Sequence, residues 1–192
     1  KVNTALPQVY YAKQQGIKRM TTETGAGQWG TALAYACSLL NMKLTVYWVR
    51  AVADWKPDRR QFMQLLGAKV FNSPSNKTSI GKQLLKQNPK HHGSLGIAIA
   101  EAVKDAANDP TAAYSLGSVL NHVLLHQTII GLETKKQLQQ VNAYPDTVIS
   151  CLGGGSNFGG LAIPFLHDKI KKQTQTRFIA TQSEVAPNLT GK

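Results

Sequence analysis

The stretch IKRMTTETGAGQWGTALAYACSLLNMKLTVYWV, residues 17–49, gives the clearest indication of the fold class. It opens with a strand candidate over 17–23, and the small residues of 25–28 then form a glycine-rich turn. Apolar residues recur at helical spacing over 29–42, and the β-branched and aromatic run 44–49 predicts a second strand. Strand, glycine turn, helix and strand in this order are typical of a parallel sheet connected by helices.

The rest of the chain repeats this alternation of strands and helices. Helices are predicted over 4–16, 56–68, 95–107, 117–141 (with Ser118 as a candidate N-cap) and 161–172, and strands over 68–72, 146–152 and 176–182. We therefore predict the fold class α/β, with parallel sheets covered by helices. Ligands of such folds bind beyond the carboxyl ends of the strands.

Composition and charge leave a globular enzyme or binding domain as the main classes. The chain of 192 residues carries 22 Lys and Arg against 10 Asp and Glu, a net charge of +12. These basic residues are dispersed and not interleaved with aromatic residues, which favours a solvated lysine-rich surface over a nucleic-acid interface. No apolar run approaches the roughly 20 residues that span a bilayer, so we expect a soluble, cytoplasmic protein without a membrane partner.

The cysteines and the termini add two further expectations. Cys37 and Cys151 are read as buried free thiols in a reducing compartment, and no metal site is predicted. The chain starts at Lys1 without a methionine, and it is therefore interpreted as a piece of a longer protein.

The glycine-rich segment CLGGGSNFGG, residues 151–160, follows the predicted strand 146–152 and precedes a helix. Its bare backbone N–H groups, with Ser156 and Asn157, suit a phosphate at a helix N-terminus. A tight strand-to-helix turn is the structural alternative. Two nucleotide-binding patterns are excluded, because Gly155 is not followed by a lysine and Phe158 stands where a third glycine is needed.

A second polar cluster lies in TTETGAGQWG, residues 21–30. Glu23 is a carboxylate at a strand end, and the glycine turn 25–27 exposes N–H groups fit to hold a carboxylate or a phosphate. Glu23 is alternatively a carboxylate that interacts with the following helix dipole, and the residues alone leave both interpretations open. This turn and the glycines 153–155 each follow a strand, so they could face one cleft.

The motifs KVNTAL, TETGAGQWG, YSLGSVLNHVLLHQTIIGLE and CLGGGSNFGG together resemble the tryptophan synthase β chain family. The resemblance extends through KPDRR to the closing EVAPNLTGK, and Trp29 favours the second type of this family. It implies a pyridoxal-phosphate enzyme of fold type II. The donor, serine or phosphoserine, and the activating ion stay open.

The resemblance also implies a role for each motif residue. Lys1, followed by Val2 and Asn3, stands 22 residues before Glu23, at the spacing of the family's Schiff-base lysine. The implied catalytic residues are Lys1 and Glu23. The implied cofactor-binding residues are Lys1, Gln28, Gly153, Gly154, Gly155, Ser156 and Asn157. The implied substrate-binding residues are Thr24, Gly25, Ala26, Gly27 and Gln28.

The implied activity is that of a pyridoxal 5'-phosphate-dependent lyase that condenses indole with L-serine to give L-tryptophan and water. Residues 1–125 would form an N-terminal domain with a mobile substrate-closing region, and 126–192 part of a cofactor-phosphate domain. A homodimer is implied, while association with an α chain stays open. The alternatives are a serine or threonine dehydratase, a cysteine synthase, or a non-enzymatic basic module that binds phosphate or nucleic acid.

Overall fold

The computed structural model describes residues 1–172, 174–185 and 187. The chain divides into two compact units, Lys1–Gly117 and Ser118–Lys192. The functional domains expected over 1–125 and 126–192 stay a prediction. The closing motif 184–192 lies largely outside the described residues.

The first unit is built on a parallel sheet of four strands in the order β3-β2-β1-β4. The strands are β1 (Arg19–Thr24), β2 (Lys43–Val49), β3 (Lys69–Ser73) and β4 (Ala112–Tyr114). The α/β fold with parallel sheets covered by helices is confirmed. The short strand β4 was not predicted, because its three residues form a strand only through pairing with β1.

Six helices belong to the first unit: α1 (Val2–Gln14), α2 (Gln28–Leu39), α3 (Arg50–Ala53), α4 (Pro57–Leu65), α5 (Ser79–Gln87) and α6 (Leu95–Ala107). Successive side chains of a strand point to opposite faces of its sheet. The Thr21 hydroxyl donates to Ala102 of α6, whereas Thr22 accepts from the Trp29 indole of α2. The helices α6 and α2 therefore cover opposite faces of the sheet.

The core of the first unit lies under α1, α2 and α4. Its largest apolar side chains are fully buried: Val9, Leu33, Val46, Trp48 and Met63. Burial of each such side chain contributes about 1.5–3 kcal/mol. This packed layer fixes the strand ends on which the candidate site is built.

A buried carboxylate ties α6 to the segment between β3 and α5. Glu101 is fully buried and accepts hydrogen bonds from the hydroxyls of Ser73 (2.6 Å), Ser75 (2.7 Å) and Thr78 (2.6 Å). The backbone N–H of Ser75 adds a further donor at 3.1 Å. A carboxyl group buried away from water is destabilising unless it is hydrogen-bonded, and the buried hydroxyl groups likewise need its oxygens as acceptors.

Replacing Glu101 by alanine should lower the free energy of unfolding by about 3 kcal/mol or more, because three hydroxyls and an N–H lose their acceptor. Urea unfolding of the purified protein measures this loss. Glu101→Gln, which keeps the volume and one acceptor oxygen, should cost less. A loss below about 1 kcal/mol for the alanine variant would contradict the anchoring role.

The second unit holds α7 (Asn121–Gln127), α8 (Ile129–Gln140), β5 (Thr147–Cys151), α9 (Ser156–Lys172) and β6 (Arg177–Thr181). The strands β5 and β6 pair in parallel. Val148, Ala162 and Phe165 form its buried core. Within the described residues, no helix has the length and apolar character needed to cross a membrane.

Three details of the sequence interpretation were wrong. The helix predicted over 117–141 is two helices, because the Thr128 hydroxyl donates to the Leu125 carbonyl and tightens the chain there. Its first N-cap is Leu120, and Ser118 caps no helix. Cys37 is buried as predicted, whereas Cys151 is exposed at the end of β5, since only one face of this two-stranded sheet is covered by the small core.

Candidate functional site

The site of the first unit lies at the carboxyl end of β1. In the strand register Thr24 stands beside Trp48, and the chain then turns through 25–27 into α2. Gly27 is the N-cap of α2 and has φ +90°, a left-handed conformation that favours glycine. The sequence thus forms the helix N-terminus directly beyond the strand end, as predicted from its glycine turn.

Glu23, the penultimate residue of β1, is a buried carboxyl group with 4% exposure. The Tyr114 hydroxyl donates to its Oε2 at 2.6 Å. Burial raises the pKa of Glu23, while the Tyr114 hydrogen bond and the charge of Lys1 act against that rise. Glu23 can therefore carry a proton at a higher pH than an exposed carboxyl group.

Lys1 precedes α1, and its amino group is held by residues remote in sequence. Its Nζ donates to the Gly117 carbonyl at 2.8 Å and lies 5.9 Å from the centroid of the Trp29 ring. Burial lowers the pKa of the Lys1 amino group, and the charge of Glu23 partly counteracts this. A larger neutral fraction makes the amine a better nucleophile and base.

Trp29 packs directly on Gly117, the residue whose carbonyl accepts from the Lys1 amino group. A Cβ added to Gly117 would lie 2.1 Å from the Trp29 ring, which means that only glycine fits there. The Trp29 indole donates to Thr22 at 2.8 Å, and Thr22 donates to the Ser115 carbonyl at 2.6 Å. These contacts join α2, β1 and the segment after β4 around the Lys1 amino group.

A cavity of about 600 Å³ opens beside these groups within the first unit. Its lining includes Lys1, Gln28 and Thr31, together with Asp58 and Arg59 of α4. The Thr31 hydroxyl oxygen is buried and has no hydrogen-bond partner among the described residues. A cavity lined by an amine, an amide and charged side chains is a candidate site for a polar ligand.

In the loop 25–27, the carbonyl groups of Gly25 and Ala26 accept hydrogen bonds from side chains, whereas the N–H groups of Ala26 and Gly27 have no acceptor among the described residues. Trp48 Nε1 donates to the Gly25 carbonyl at 2.7 Å, and Arg59 Nη1 donates to the Ala26 carbonyl at 2.5 Å. No described residue accepts a hydrogen bond from the N–H of Ala26 or Gly27. Thr24 accepts from the N–H of Gly30 at 3.2 Å and thereby supports the first turn of α2.

The glycine loop of the second unit connects β5 to α9. Gly155 has φ +98°, and its carbonyl accepts from the N–H of Gly159 at 2.8 Å, so it starts the helix. Gly154 lies close to Ser118, where an added Cβ would be 2.2 Å from the hydroxyl oxygen. Within the described part of the chain nothing accepts a hydrogen bond from the N–H of Gly154 or Gly155.

The side chains of Ser156 and Asn157, which follow these glycines, have different hydrogen-bond partners. Ser156 is buried and accepts a hydrogen bond from the Ser118 hydroxyl at 3.3 Å. The Asn157 amide nitrogen is exposed and donates to Ser150 at 3.1 Å and to Cys151 Sγ at 2.8 Å. Free N–H groups at the start of a helix of 17 residues form an anion-binding arrangement.

The structure brings Lys1 and Glu23 and the residues 24–28 together in the first unit. The glycines 153–155, Ser156 and Asn157 form the loop of the second unit. Sequence reasoning missed Tyr114, Trp48 and Arg59, each of which contacts a predicted site residue. Tyr114 stands in the motif YSLGS, but no spacing rule connects a tyrosine to a carboxylate 91 residues away.

Comparison with known proteins gives the family context of this site. The family model described as pyridoxal-phosphate dependent enzyme matches residues 1–192. The tryptophan synthase beta chain 2 of Pyrococcus abyssi is 56% identical over 190 residues, which cover 99% of this chain and 43% of that protein. The tryptophan synthase beta chain 2 of Methanothermobacter thermautotrophicus is 55% identical over 190 residues, which cover 99% of this chain and 44% of that protein. The chain spans less than half the length of these curated relatives.

A solved structure shares the fold at low sequence identity. The hydrogen sulfide-producing enzyme of Fusobacterium nucleatum aligns with a TM-score of 0.73 and 19% identity, over 98% of this chain and 51% of that one. The diaminopropionate ammonia lyase of Escherichia coli aligns with a TM-score of 0.68 and 16% identity, over 93% and 47% of the two chains. At this identity the comparison describes the fold alone.

Proposed function

The chain belongs to the family of pyridoxal-phosphate dependent enzymes, and on this premise we propose that its protein condenses indole with L-serine to give L-tryptophan and water. The proposal takes the reaction from the relatives that are 53–56% identical over nearly the whole chain. The observation that carries it is the buried Glu23 carboxyl group, placed directly before a loop with free N–H groups.

The residues present fit the cofactor that the family uses. Lys1 offers an amino group whose pKa is lowered by burial, as covalent attachment of an aldehyde needs. The N–H groups of Gly154 and Gly155, from which no described residue accepts a hydrogen bond, suit a phosphate at the start of the helix that begins with Ser156 and Asn157. Gly153 precedes them in the same loop. When bound, pyridoxal phosphate supplies an electron sink for the carbanion formed at the substrate Cα.

Lys1 is assigned the proton transfer at the substrate Cα. Partial burial lowers the pKa of its amino group, so at neutral pH more of it is unprotonated than for a fully solvated lysine. The Gly117 carbonyl holds the amino group in place at 2.8 Å. This hydrogen bond orients a flexible side chain and leaves the nitrogen available for the proton.

Glu23 is assigned the proton for the departing β-hydroxyl group of serine. Burial raises the pKa of Glu23, which keeps a proton on the carboxyl group at a pH where an exposed glutamate has lost it. After water has left, the resulting carboxylate can accept a hydrogen bond from the indole N–H and orient C3 for bond formation. Thr24 and the N–H groups of 25–28 are assigned the substrate carboxylate.

The proposed reaction is tested with the holoenzyme, indole, and either L-serine or O-phospho-L-serine as donor. Formation of L-tryptophan that requires both the donor and indole supports the proposal. Pyruvate as the main product from L-serine, or 2-oxobutyrate when L-threonine is supplied in its place, would instead indicate a dehydratase. Cysteine formed when sulfide replaces indole, without tryptophan in the indole assay, would indicate a cysteine synthase. No tryptophan from the cofactor-loaded enzyme with either donor would overturn the proposal.

Replacing Tyr114 by phenylalanine should move the alkaline limb of the kcat profile to higher pH. Tyr114 stabilises the ionised form of Glu23 and lowers its pKa, so loss of this donor raises the pKa and the acid form persists. The expected displacement is about one pH unit. Tyr47→Phe is the control, because Tyr47 donates to Asp105 and not to Glu23. A limb that moves to lower pH would contradict this assignment.

The assembly and location of the protein are also proposed from the relatives. A homodimer, a cytoplasmic location and binding of a tryptophan synthase α chain are each testable with purified protein or cell fractions. Sedimentation of the holoenzyme alone gives its oligomeric state and tests the homodimer. Sedimentation after an α chain is added tests whether the two proteins form a complex. The alternative of a basic nucleic-acid module predicts salt-sensitive DNA binding without bound cofactor.

A further inference from the structure

Trp48 and Arg59 both contact the loop of residues 25–27, although neither belongs to it. Trp48 lies on β2 and is fully buried, and its indole donates to the Gly25 carbonyl at 2.7 Å. Arg59 lies on α4 and donates to the Ala26 carbonyl at 2.5 Å. Two consecutive peptide groups of the loop are thus held by side chains from two other elements.

The orientation of these peptide groups decides where their N–H groups point. Both peptide bonds are trans, so each N–H points opposite to the carbonyl of the same peptide plane. The Gly25 carbonyl shares its plane with the N–H of Ala26, and the Ala26 carbonyl with the N–H of Gly27. Holding the two carbonyls therefore turns both N–H groups away from Trp48 and Arg59.

A Gly-Ala-Gly loop needs such external support. Glycine backbones adopt many conformations at similar energy, so the peptide planes of this loop could rotate without it. Gly27 is also packed between the same two side chains: an added Cβ would lie 2.9 Å from Arg59 Cδ and 3.1 Å from Trp48 Cζ2. Trp48 and Arg59 thus fix the loop by contact as well as by hydrogen bonds.

We propose that Trp48 and Arg59 are positioning residues that preorganise the N–H groups of Ala26 and Gly27 for the substrate carboxylate. This inference rests on the proposed function, in which the loop binds that carboxylate. Preorganised donors pay no reorganisation cost when the ligand binds, so their loss weakens binding of the carboxylate. The acceptor indole makes no use of these N–H groups, and its binding is unaffected.

Four variants of the holoenzyme test the proposal: Trp48→Phe, Arg59→Met, Arg59→Lys and Arg60→Met. The first two each remove one donor to the loop. Arg59→Lys keeps a cationic donor and should recover part of the loss. Arg60 is the matched control, because it lies over the Trp48 ring and donates to Val70 and Asn72 but not to the loop.

We expect Trp48→Phe and Arg59→Met each to raise the KM for L-serine by about three- to tenfold. The KM for indole should stay within about twofold of the parent value, and Arg60→Met should resemble the parent enzyme. An unchanged serine KM in both donor variants, or an equal rise for indole, would overturn the proposal.

An equilibrium titration separates this inference from the reaction itself. The absorbance of the bound cofactor is followed while L-serine or L-serinamide is added without any acceptor. The donor variants should lose affinity for L-serine but not for the amide, which lacks the carboxylate. Equal losses for both ligands would overturn the loop assignment, whatever the acceptor proves to be.

If the parent enzyme binds neither ligand, the proposed function fails. The positioning role of Trp48 and Arg59 is then tested by the structure of the loop alone. A crystal structure of the Trp48→Phe, Arg59→Met double variant then gives the orientation of the two peptide planes. Rotated planes support the positioning role, and unchanged planes contradict it.

Discussion

Replacing Lys1 by alanine is expected to lower tryptophan formation by on the order of 10³-fold or more. The variant lacks the amino group to which we assign cofactor attachment and the proton transfer at the substrate Cα. The chain holds many other lysines, 22 Lys and Arg in all, but the structure places Lys1 against Gly117 and Trp29 beside the cavity. A lysine elsewhere in the described chain does not line this cavity and cannot replace it.

A structural readout accompanies the activity of the Lys1 variant. The holoenzyme is reduced with borohydride and digested, and the peptides are analysed by mass spectrometry. The parent enzyme should carry the cofactor-derived mass on the peptide that contains Lys1, and Lys1→Ala should lack it. Lys13→Ala is the control, since Lys13 is an exposed residue whose amino group donates to the Leu40 carbonyl. Cofactor trapped on a different lysine of the parent enzyme would refute the assignment.

Replacing Glu23 by glutamine is expected to lower kcat by about a hundredfold or more, because an amide cannot give a proton to the departing hydroxyl group. The substitution keeps the size of the side chain and its hydrogen bond with Tyr114. The KM for the amino-acid substrate should change much less than kcat, since the proposal assigns the substrate carboxylate to the loop 25–28 and not to Glu23. Steady-state kinetics with L-serine and indole measure both values.

Two further variants sharpen the Glu23 experiment. Glu23→Asp keeps an acid but shortens the side chain, so it should retain more activity than the glutamine variant. Asp54→Asn, at an exposed position outside the cavity, makes the same chemical change and should leave kcat within about twofold. A glutamine variant with near-parent kcat would show that the proton comes from another group.

The burial of Glu23 also predicts the pH dependence of these experiments. Its pKa is raised, so the acid form required for hydroxyl departure is present at low pH and is lost as pH rises through that pKa. Lys1 has a lowered pKa, so its neutral form is lost as pH falls. The two groups together predict a bell-shaped profile whose alkaline limb belongs to Glu23 and disappears in the glutamine variant.

The elements of the fold followed from local patterns. The alternation of apolar strands and amphipathic helices in 17–49 predicted β1, α2 and β2, and Gly27 was placed correctly in the turn. The break at Thr128 and the strand β4 were missed, because one depends on a side-chain hydrogen bond and the other on pairing with β1. Neither leaves a periodic signal in the sequence.

The chemical groups of the site were found partly from residue types and partly from the family resemblance. The glycines of both loops stand out by themselves, since free N–H groups at helix starts suit anions. Lys1 looks like any solvated lysine until the motif around it is considered. Its role and that of Glu23 stay predictions until the variants above are measured.

The α/β fold, the two glycine-rich loops at strand ends and the residue types available for chemistry could be predicted from the sequence. The partners of the site residues became known from the tertiary structure: Gly117 for Lys1 across 116 residues, Tyr114 for Glu23 across 91, and Arg59 for Ala26 across 33. The periodicity of apolar residues in a sequence indicates which face of a helix or strand is buried, but not which other element packs against that face. Contacts between a side chain and a distant carbonyl or carboxyl group depend on strand order and register, which no local pattern contains.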